Sequence, residues 1–299
     1  MVDVELGRVG LWSTVTDALP VPAAQELVAE VEQLGYGAYW SGEAYGREAL
    51  TNAAALLAGT SSIAVATGIA SIHGRDAVAA RGGQRTLASA HPGRFVLGLG
   101  VSHRPLVERV RKGAYDKPLS QMRDYLDLMD EAPFLAADGD APTATVLAAL
   151  GPRMLELARD RTDGAHPYLV TPEHTATAAE ALGPGKVLAV EQAVVLTDDA
   201  DVARERAHAH LEIYTGLPNY RRSWERLGFA DDDFVRGGSQ RLKDALVAWG
   251  DEDACAAAVQ AHLDAGATHV CVQVLGAHPA DVATISEGWR RLAPALTSL

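Results

Sequence analysis

Short runs of apolar residues recur along the chain, and each is followed by a stretch in which apolar residues return every three to four positions. Several runs are apolar at consecutive positions, which is typical of parallel strands with both faces buried. Eight such runs occur, at residues 8–13, 38–42, 63–71, 94–100, 144–150, 165–170, 189–196 and 269–275. The pattern predicts a parallel sheet of eight strands covered by helices.

The stretches between the strands have the period of amphipathic helices. The predicted helices include residues 22–34, 49–59, 77–90, 121–135, 152–161, 172–182 and 254–265. Eight strand-then-helix units are the repeat of a (β/α)8 barrel, or TIM barrel. A doubly wound sheet would need a glycine-rich phosphate loop after its first strand, whereas here that strand ends in Trp12, Ser13 and Thr14. We therefore predict an α/β fold of the (β/α)8 barrel type.

Two connections are longer than a single helix requires. Residues 101–142 separate the fourth and fifth strands, and residues 197–268 separate the seventh and eighth. Barrel enzymes carry such segments at the C-terminal mouth, where loops build the site. No linker rich in Ser, Gly or Pro divides the chain, so we predict one domain over residues 1–299 with helical insertions at the mouth.

Composition narrows the class of protein. Of the 299 residues, 48% are hydrophobic, and 26 Lys and Arg against 39 Asp and Glu give a net charge of −13, which argues against a nucleic-acid surface. Cys255 and Cys271 lie in apolar runs, which indicates buried thiols and a reducing compartment. Without a basic leader or a run of about eighteen apolar residues, we expect a cytoplasmic protein with no membrane contact.

The predicted fourth strand ends in glycines and then a histidine, 98-GLGVSH-103. The third glycine of a dinucleotide-binding fingerprint is missing, because Ser102 and His103 follow Gly98 and Gly100. At the end of a barrel strand, the imidazole of His103 could accept or donate a proton near neutral pH. Equally, His103 could cap or pack against the helix that begins near Pro105.

Two other strand ends have features of a ligand site. Gly68 and the small residues after it predict a bulge at the mouth, or else a narrowing for barrel packing. Gly151 and Pro152 predict a helix start whose free N–H groups could bind an anion, or else a plain strand-to-helix junction. We expect no metal site, because His208 and His210 are two apart on a helix and their side chains diverge.

These segments lie within longer blocks that resemble the luciferase-like monooxygenase superfamily, and within it the actinobacterial F420-dependent oxidoreductases. The blocks are residues 35–48, 65–76, 91–108, 117–130, 149–175 and 217–224. The resemblance implies coenzyme F420 as the cofactor, with FMN as the alternative. It also implies a deazaflavin ring lying across the strand ends, and a possible homodimer.

The resemblance assigns roles to particular residues. It implies a cis peptide at Gly68–Ile69 behind the ring, with Gly98 and Gly100 making room beside it. His103 and Glu43 are the catalytic candidates, His103 as proton donor or acceptor and Glu43 as an acidic contact to the deazaflavin. The implied cofactor-binding residues are Gly68, Ile69, Ser71, Gly98, Gly100, Ser102, Gly151, Pro152 and Arg153. Arg221 and Arg222 are further candidates for the anionic end of the cofactor.

One departure restricts the substrate. The residue after the acidic position is a histidine base in the sugar-phosphate dehydrogenase of this family, and here it is Ala44. Glucose 6-phosphate is therefore not expected. The resemblance implies hydride transfer between the deazaflavin C5 and a small enone, carbonyl or alcohol. The alternatives are an FMN-dependent two-component monooxygenase and a deazaflavin-binding protein without catalysis.

Overall fold

The computed structural model describes residues 4–138 and 140–299. The strands are β1 Val9–Trp12, β2 Ala38–Ser41, β3 Ala64–Thr67, β4 Ala70–Ser71, β5 Phe95–Gly100, β6 Ala144–Leu147, β7 Gly164–Ala165, β8 Val187–Leu196, β9 Val247–Gly250 and β10 His269–Val274. All their pairings are parallel.

The sheet closes on itself, because β10 pairs with β1 on one side and β8 on the other. The ring runs β1-β2-β3-β5-β6-β7-β8-β10, and β4 continues the course of β3 alongside β5. Counting β3 and β4 as one strand, the barrel has eight strands. The predicted (β/α)8 barrel is therefore confirmed.

The helices lie outside the barrel wall. They are α1 Val21–Gln33, α2 Ala49–Ala58, α3 Ala77–Ala90, α4 Pro118–Glu131, α5 Pro152–Arg161, α6 Pro172–Leu182, α7 Ala200–Leu211, α8 Pro218–Glu225, α9 Gln240–Leu246, α10 Glu252–Asp264 and α11 Val282–Leu296. Single turns of 3-10 helix occur at Val15–Ala18, Tyr214–Gly216 and Asp231–Phe234, and a π-helical turn at Leu106–Val110. No helix of the described ranges is long and apolar enough to span a lipid bilayer.

Alternate positions on the strands belong to two separate apolar clusters. One set packs against the helices and includes Leu11, Val65 and Leu97. The other set fills the barrel interior and combines small residues such as Ala66 with the large ring of Trp40. The small side chains leave space inside the barrel for the indoles of Trp12 and Trp40. Because one face of each strand packs against helices and the other fills the interior, the strands are apolar on both faces.

Each of the two long connections combines an inserted segment with a helix of the barrel wall, since α4 packs beside α3 and α5, and α10 packs on β8 and β10. The first contains the π-helical turn and α4, and the second contains α7, α8, α9, β9 and α10. Strand β9 was not among the predicted strands; it pairs with the end of β8, from Ala193 to Leu196, beyond the point where β7 has ended. Cys255 and Cys271 are both buried free thiols, as predicted.

Candidate active site

The third barrel strand is interrupted at the mouth. The peptide bond between Gly68 and Ile69 is cis, at the position that the resemblance implies. The indole Nε1 of Trp12 donates a hydrogen bond to the Gly68 carbonyl oxygen at 2.8 Å. Where β3 ends, the Thr67 hydroxyl donates to the Gly98 carbonyl of β5 at 2.7 Å and accepts from the Gly98 N–H at 2.8 Å. The Thr67 side chain therefore keeps β3 bonded to β5 at the point where β3 is interrupted.

Gly98 and Gly100 are required by this interruption. A β-carbon at Gly98 would collide with the carbonyl oxygen of Thr67, and one at Gly100 would collide with the side chain of Ile69. The space left by the two missing side chains is thus occupied by the neighbouring strand. The structure gives both glycines a packing reason that does not depend on a ligand.

Glu43 lies at the end of β2 in a network of charges. Its carboxylate accepts a hydrogen bond from the Ser71 N–H at 2.8 Å and forms an ion pair with Arg75. A second guanidinium, that of Arg111, lies 3.8 Å away. The side chain of Glu43 is only 5% exposed. This arrangement fixes the turn after the cis peptide by binding Ser71. The two guanidinium groups compensate the charge of the Glu43 carboxylate, which sequence analysis considered catalytic.

His103 lies beside the mouth, after Ser102, whose φ of 59° reverses the chain direction at the end of β5. Its Nδ1 is buried and has no hydrogen-bond partner among the described residues. Burial lowers the pKa of His103, and the nearby side chain of Asn219 opposes part of that shift. The ring centroid of Tyr220 is 5.8 Å from the imidazole. His103 is therefore a neutral imidazole with one free nitrogen.

A group of aromatic side chains lies at the mouth, between Trp12 next to Gly68 and Tyr220 next to His103, and we call it the aromatic cluster. Its members are Trp12, Tyr168, His210, Tyr214, Tyr220 and Trp224. Tyr168 is at the centre, with centroids of Trp12 at 5.2 Å and Tyr214 at 5.6 Å. These separations are typical of interacting aromatic rings. The cluster joins β1, the loop after β7 and the second insertion.

Beneath the cluster lies Glu191, a buried acid on β8. Its Oε2 accepts a hydrogen bond from the Leu169 N–H at 3.0 Å, and its Oε1 has no partner among the described residues. Burial raises the pKa of Glu191 to about 8. Leu169 has a positive φ of 54°, and its carbonyl accepts from Trp224 Nε1 at 3.0 Å. Glu191 and Trp224 therefore fix the turn that presents Tyr168.

A basic rim surrounds the start of α5. Gly151 precedes Pro152, no side chain caps the helix, and the side chain of Arg153 is exposed. Arg226 donates to the Leu150 carbonyl at 2.9 Å, and the nearby charge of Arg222 helps burial to lower its pKa.

Of the candidate arginines, Arg221 is engaged elsewhere. It forms an ion pair with Asp231 at 2.7 Å and lies over the ring of Phe234, with 4.9 Å between its guanidinium carbon and the ring centroid. Arg222 and Arg226 have no ion pair within the ranges that the structure describes.

The structure thus brings His103, the cis peptide and the glycines together at one side of the mouth, with the Gly151 helix start at the rim. Sequence analysis did not identify the aromatic cluster, Glu191, Asn219 or Arg226 as site residues. A signal existed for Glu191, since it is a single acid in the apolar run 189-AVEQAVVL-196. No comparable signal marks Asn219, because its proximity to His103 depends on how the second insertion folds.

Comparisons with known proteins agree with this geometry. The sequence model of the luciferase-like monooxygenase family matches residues 7–269. A curated protein of Mycobacterium tuberculosis, named as a coenzyme F420-dependent oxidoreductase, is 27% identical over an alignment of 252 residues that covers 70% of this chain and 71% of that protein.

Solved structures share the fold at lower identity. An F420-dependent secondary alcohol dehydrogenase in complex with an F420-acetone adduct is 14% identical with a TM-score of 0.74, over 97% of this chain and 99% of that one. The FMN-bound oxygenating component of a type II Baeyer–Villiger monooxygenase of Pseudomonas putida is 14% identical with a TM-score of 0.70, over 98% of each chain. Since the family match covers most of its length, the chain belongs to the luciferase-like monooxygenase family.

Proposed function

We propose that the protein is a coenzyme F420-dependent oxidoreductase that transfers a hydride between the deazaflavin C5 and a small enone, carbonyl or alcohol. The observation that carries the proposal is the free Nδ1 of a neutral, half-buried His103 beside the interrupted third strand. Family membership and the named function of the Mycobacterium tuberculosis relative support the choice of cofactor.

The residues at the rim fit the anionic end of this cofactor, which carries a phosphate and a glutamate tail. The first turn of α5 has backbone N–H groups that no side chain caps, and Arg226 lies beside Gly151. Helix N-termini and guanidinium groups are the donors that phosphates prefer. Arg222, Arg226 and the N–H groups that follow Gly151 would hold the phosphate, with Arg153 at the outer edge.

The residues at the mouth fit the flat ring. The segment from Gly68 to Ser71 would support one face, and Glu43 would hold that segment in place through Ser71. When bound, the deazaflavin supplies or accepts a hydride at C5. The aromatic cluster would exclude water from the reacting atoms.

His103 would handle the proton that accompanies the hydride. Because burial lowers its pKa, the imidazole is neutral at pH 7 and its Nδ1 can accept the hydroxyl proton of an alcohol. In the opposite direction the protonated ring returns that proton to the carbonyl oxygen. Asn219 would orient the ring through a hydrogen bond from its side chain to the imidazole.

The first experiment is a fluorescence titration of the purified protein with F420 and, separately, with FMN. Tight F420 binding with weak FMN binding is the expected result. The reverse preference would contradict the proposal and favour a monooxygenase, as in the FMN-bound structure of the same fold. Oxygen consumption with reduced FMN would then identify that activity.

The role of His103 is tested by His103→Ala. We expect F420 affinity to remain within about twofold, while turnover of a responsive substrate falls by about 100-fold or more, the usual contribution of a general acid or base. Exogenous imidazole should restore part of the rate. Unchanged turnover would contradict the assignment, and F420 binding without any turnover in the unmodified protein would favour a cofactor-binding protein.

A further inference from the structure

We propose that Trp12, Tyr168, Tyr214 and Gln273 form the substrate subsite, and that it takes an uncharged aryl ketone or the corresponding secondary alcohol. This inference rests on the proposed function and adds the class of substrate. It rests on the positions of the four side chains, on the free amide N–H groups of Gln273, and on the absence of fixed charge on the groups around them.

The position of the subsite follows from Trp12. Its indole is hydrogen-bonded to the Gly68 carbonyl, so the ring lies next to the peptide where the proposed hydride site begins. The ring centroid of Tyr168 is 5.2 Å from that of Trp12, and the ring centroid of Tyr214 is 5.6 Å from that of Tyr168. Both tyrosines are half-buried, so each side chain keeps part of its surface accessible. A planar aryl group could therefore stack on these rings while its carbonyl faces the hydride site.

Gln273 supplies the polar contact. The Tyr168 hydroxyl donates to Gln273 Oε1 at 2.7 Å and is itself 3.4 Å from the Tyr214 hydroxyl. With its oxygen bound in this way, the amide directs its two N–H groups elsewhere, and they form no hydrogen bond with the residues that the structure describes. An amide N–H is a suitable donor to a ketone oxygen, and it also accommodates the alcohol product.

The surroundings favour a ligand without charge. Burial lowers the pKa of His103, which lies next to the cluster, and lowers that of His210, a member of the cluster, to about 4, so both imidazoles are neutral at pH 7. Burial also raises the pKa of Glu191, which keeps the nearest acid largely protonated at neutral pH. An anionic or cationic substrate would lose its hydration here without gaining an opposite charge. The free arginines lie at the α5 rim, where they fit the cofactor.

The experiment measures binding instead of turnover. The F420-saturated protein is titrated by calorimetry with acetophenone, benzoate and benzyltrimethylammonium, which share a phenyl ring and differ in charge. Acetophenone should bind at least tenfold more tightly than either ion. In Gln273→Leu the affinity for acetophenone should fall about tenfold, the effect of one hydrogen bond. Gln33→Leu, which alters an exposed glutamine at the end of α1, is the matched control and should change nothing.

Gln273→Asn is the second variant, in case the leucine variant does not fold, and shortening the amide should also weaken acetophenone binding. Equal binding of benzoate and acetophenone, or full affinity in both Gln273 variants, would overturn the subsite. Failure of F420 itself to bind would overturn the proposed function instead. The same acetophenone titration of the cofactor-free protein and its Gln273 variants would then decide the subsite separately.

Discussion

At the scale of single residues, Glu191 is an acid buried inside the barrel. It lies on an apolar strand, 1% exposed, with one carboxyl oxygen bound to the Leu169 N–H and the other without a partner in the described chain. Desolvation penalises the charged form, so the folded protein binds this proton more tightly than the unfolded chain does. Its charge state must therefore couple to folding stability.

We expect Glu191 to contribute to the free energy of unfolding, and this contribution should decrease as pH rises from about 4.5 to about 8. In this window the unfolded glutamate has lost its proton, whereas the folded one retains it up to its pKa of about 8. Glu191→Gln keeps the acceptor for Leu169 and cannot ionise. Its free energy of unfolding relative to wild type should therefore increase with pH, by at most about 1.4 kcal/mol per unit.

Urea unfolding at pH 5, 6, 7 and 8 measures this difference. Glu156→Gln, which makes the same substitution at an exposed glutamate of α5, is the control. A constant difference between Glu191→Gln and wild type across these four pH values would show that Glu191 is ionised in the folded protein. Loss of folding in Glu191→Leu together with normal folding of the glutamine variant would support the role of the acceptor oxygen.

At the scale of elements, α8 links the two sides of the mouth. Its Trp224 is fully buried and binds the Leu169 carbonyl, while Tyr220 and Asn219 of the same helix lie against His103. Leu169 is in turn bound to Glu191. The helix thus connects the turn that carries Tyr168 to the proposed proton acceptor, and a displacement of α8 would affect both.

Trp224→Phe tests this connection. Phenylalanine retains most of the packing but leaves the buried Leu169 carbonyl without its donor, which should lower the free energy of unfolding by about 1–3 kcal/mol. The imidazole NMR signals of His103 should also shift. Trp249→Phe, on β9 and 41% exposed, should leave both quantities unchanged. A stability loss without any change at His103 would mean that α8 does not connect the two sides.

The elements also show how far the sequence could predict this molecule. Consecutive apolar residues predicted the barrel strands well, and five of the seven predicted helices begin within one residue of the observed start. Residues 166–170 were predicted as strand, yet β7 ends at Ala165 because the chain turns at Leu169. The period of the sequence could not reveal this turn, since it depends on Glu191 and Trp224, which are distant in sequence. The aromatic cluster was missed for the same reason.

At the scale of the whole molecule, the two ends of the chain close the barrel. Val9 of β1 pairs with Val270 of β10, and the Tyr36 hydroxyl donates to the Trp289 carbonyl of α11 at 2.8 Å. Arg290 forms an ion pair with Glu30 of α1. These contacts therefore join residues more than 200 positions apart in the sequence. Without the pairing of β1 with β10, the barrel would be an open sheet with unpaired edge strands.

This closure predicts that the chain unfolds as one unit, consistent with a single domain over residues 1–299. If the first strands and α11 stabilise each other, urea transitions followed by far-UV circular dichroism and by tryptophan fluorescence should coincide. Trp289→Leu removes an indole that is 1% exposed and should lower the midpoint equally for both probes. Val78→Ala, a truncation at an exposed position of α3, should leave the midpoint nearly unchanged. Separate transitions, with only one displaced by the change at Trp289, would mean that the two ends form independent folding units.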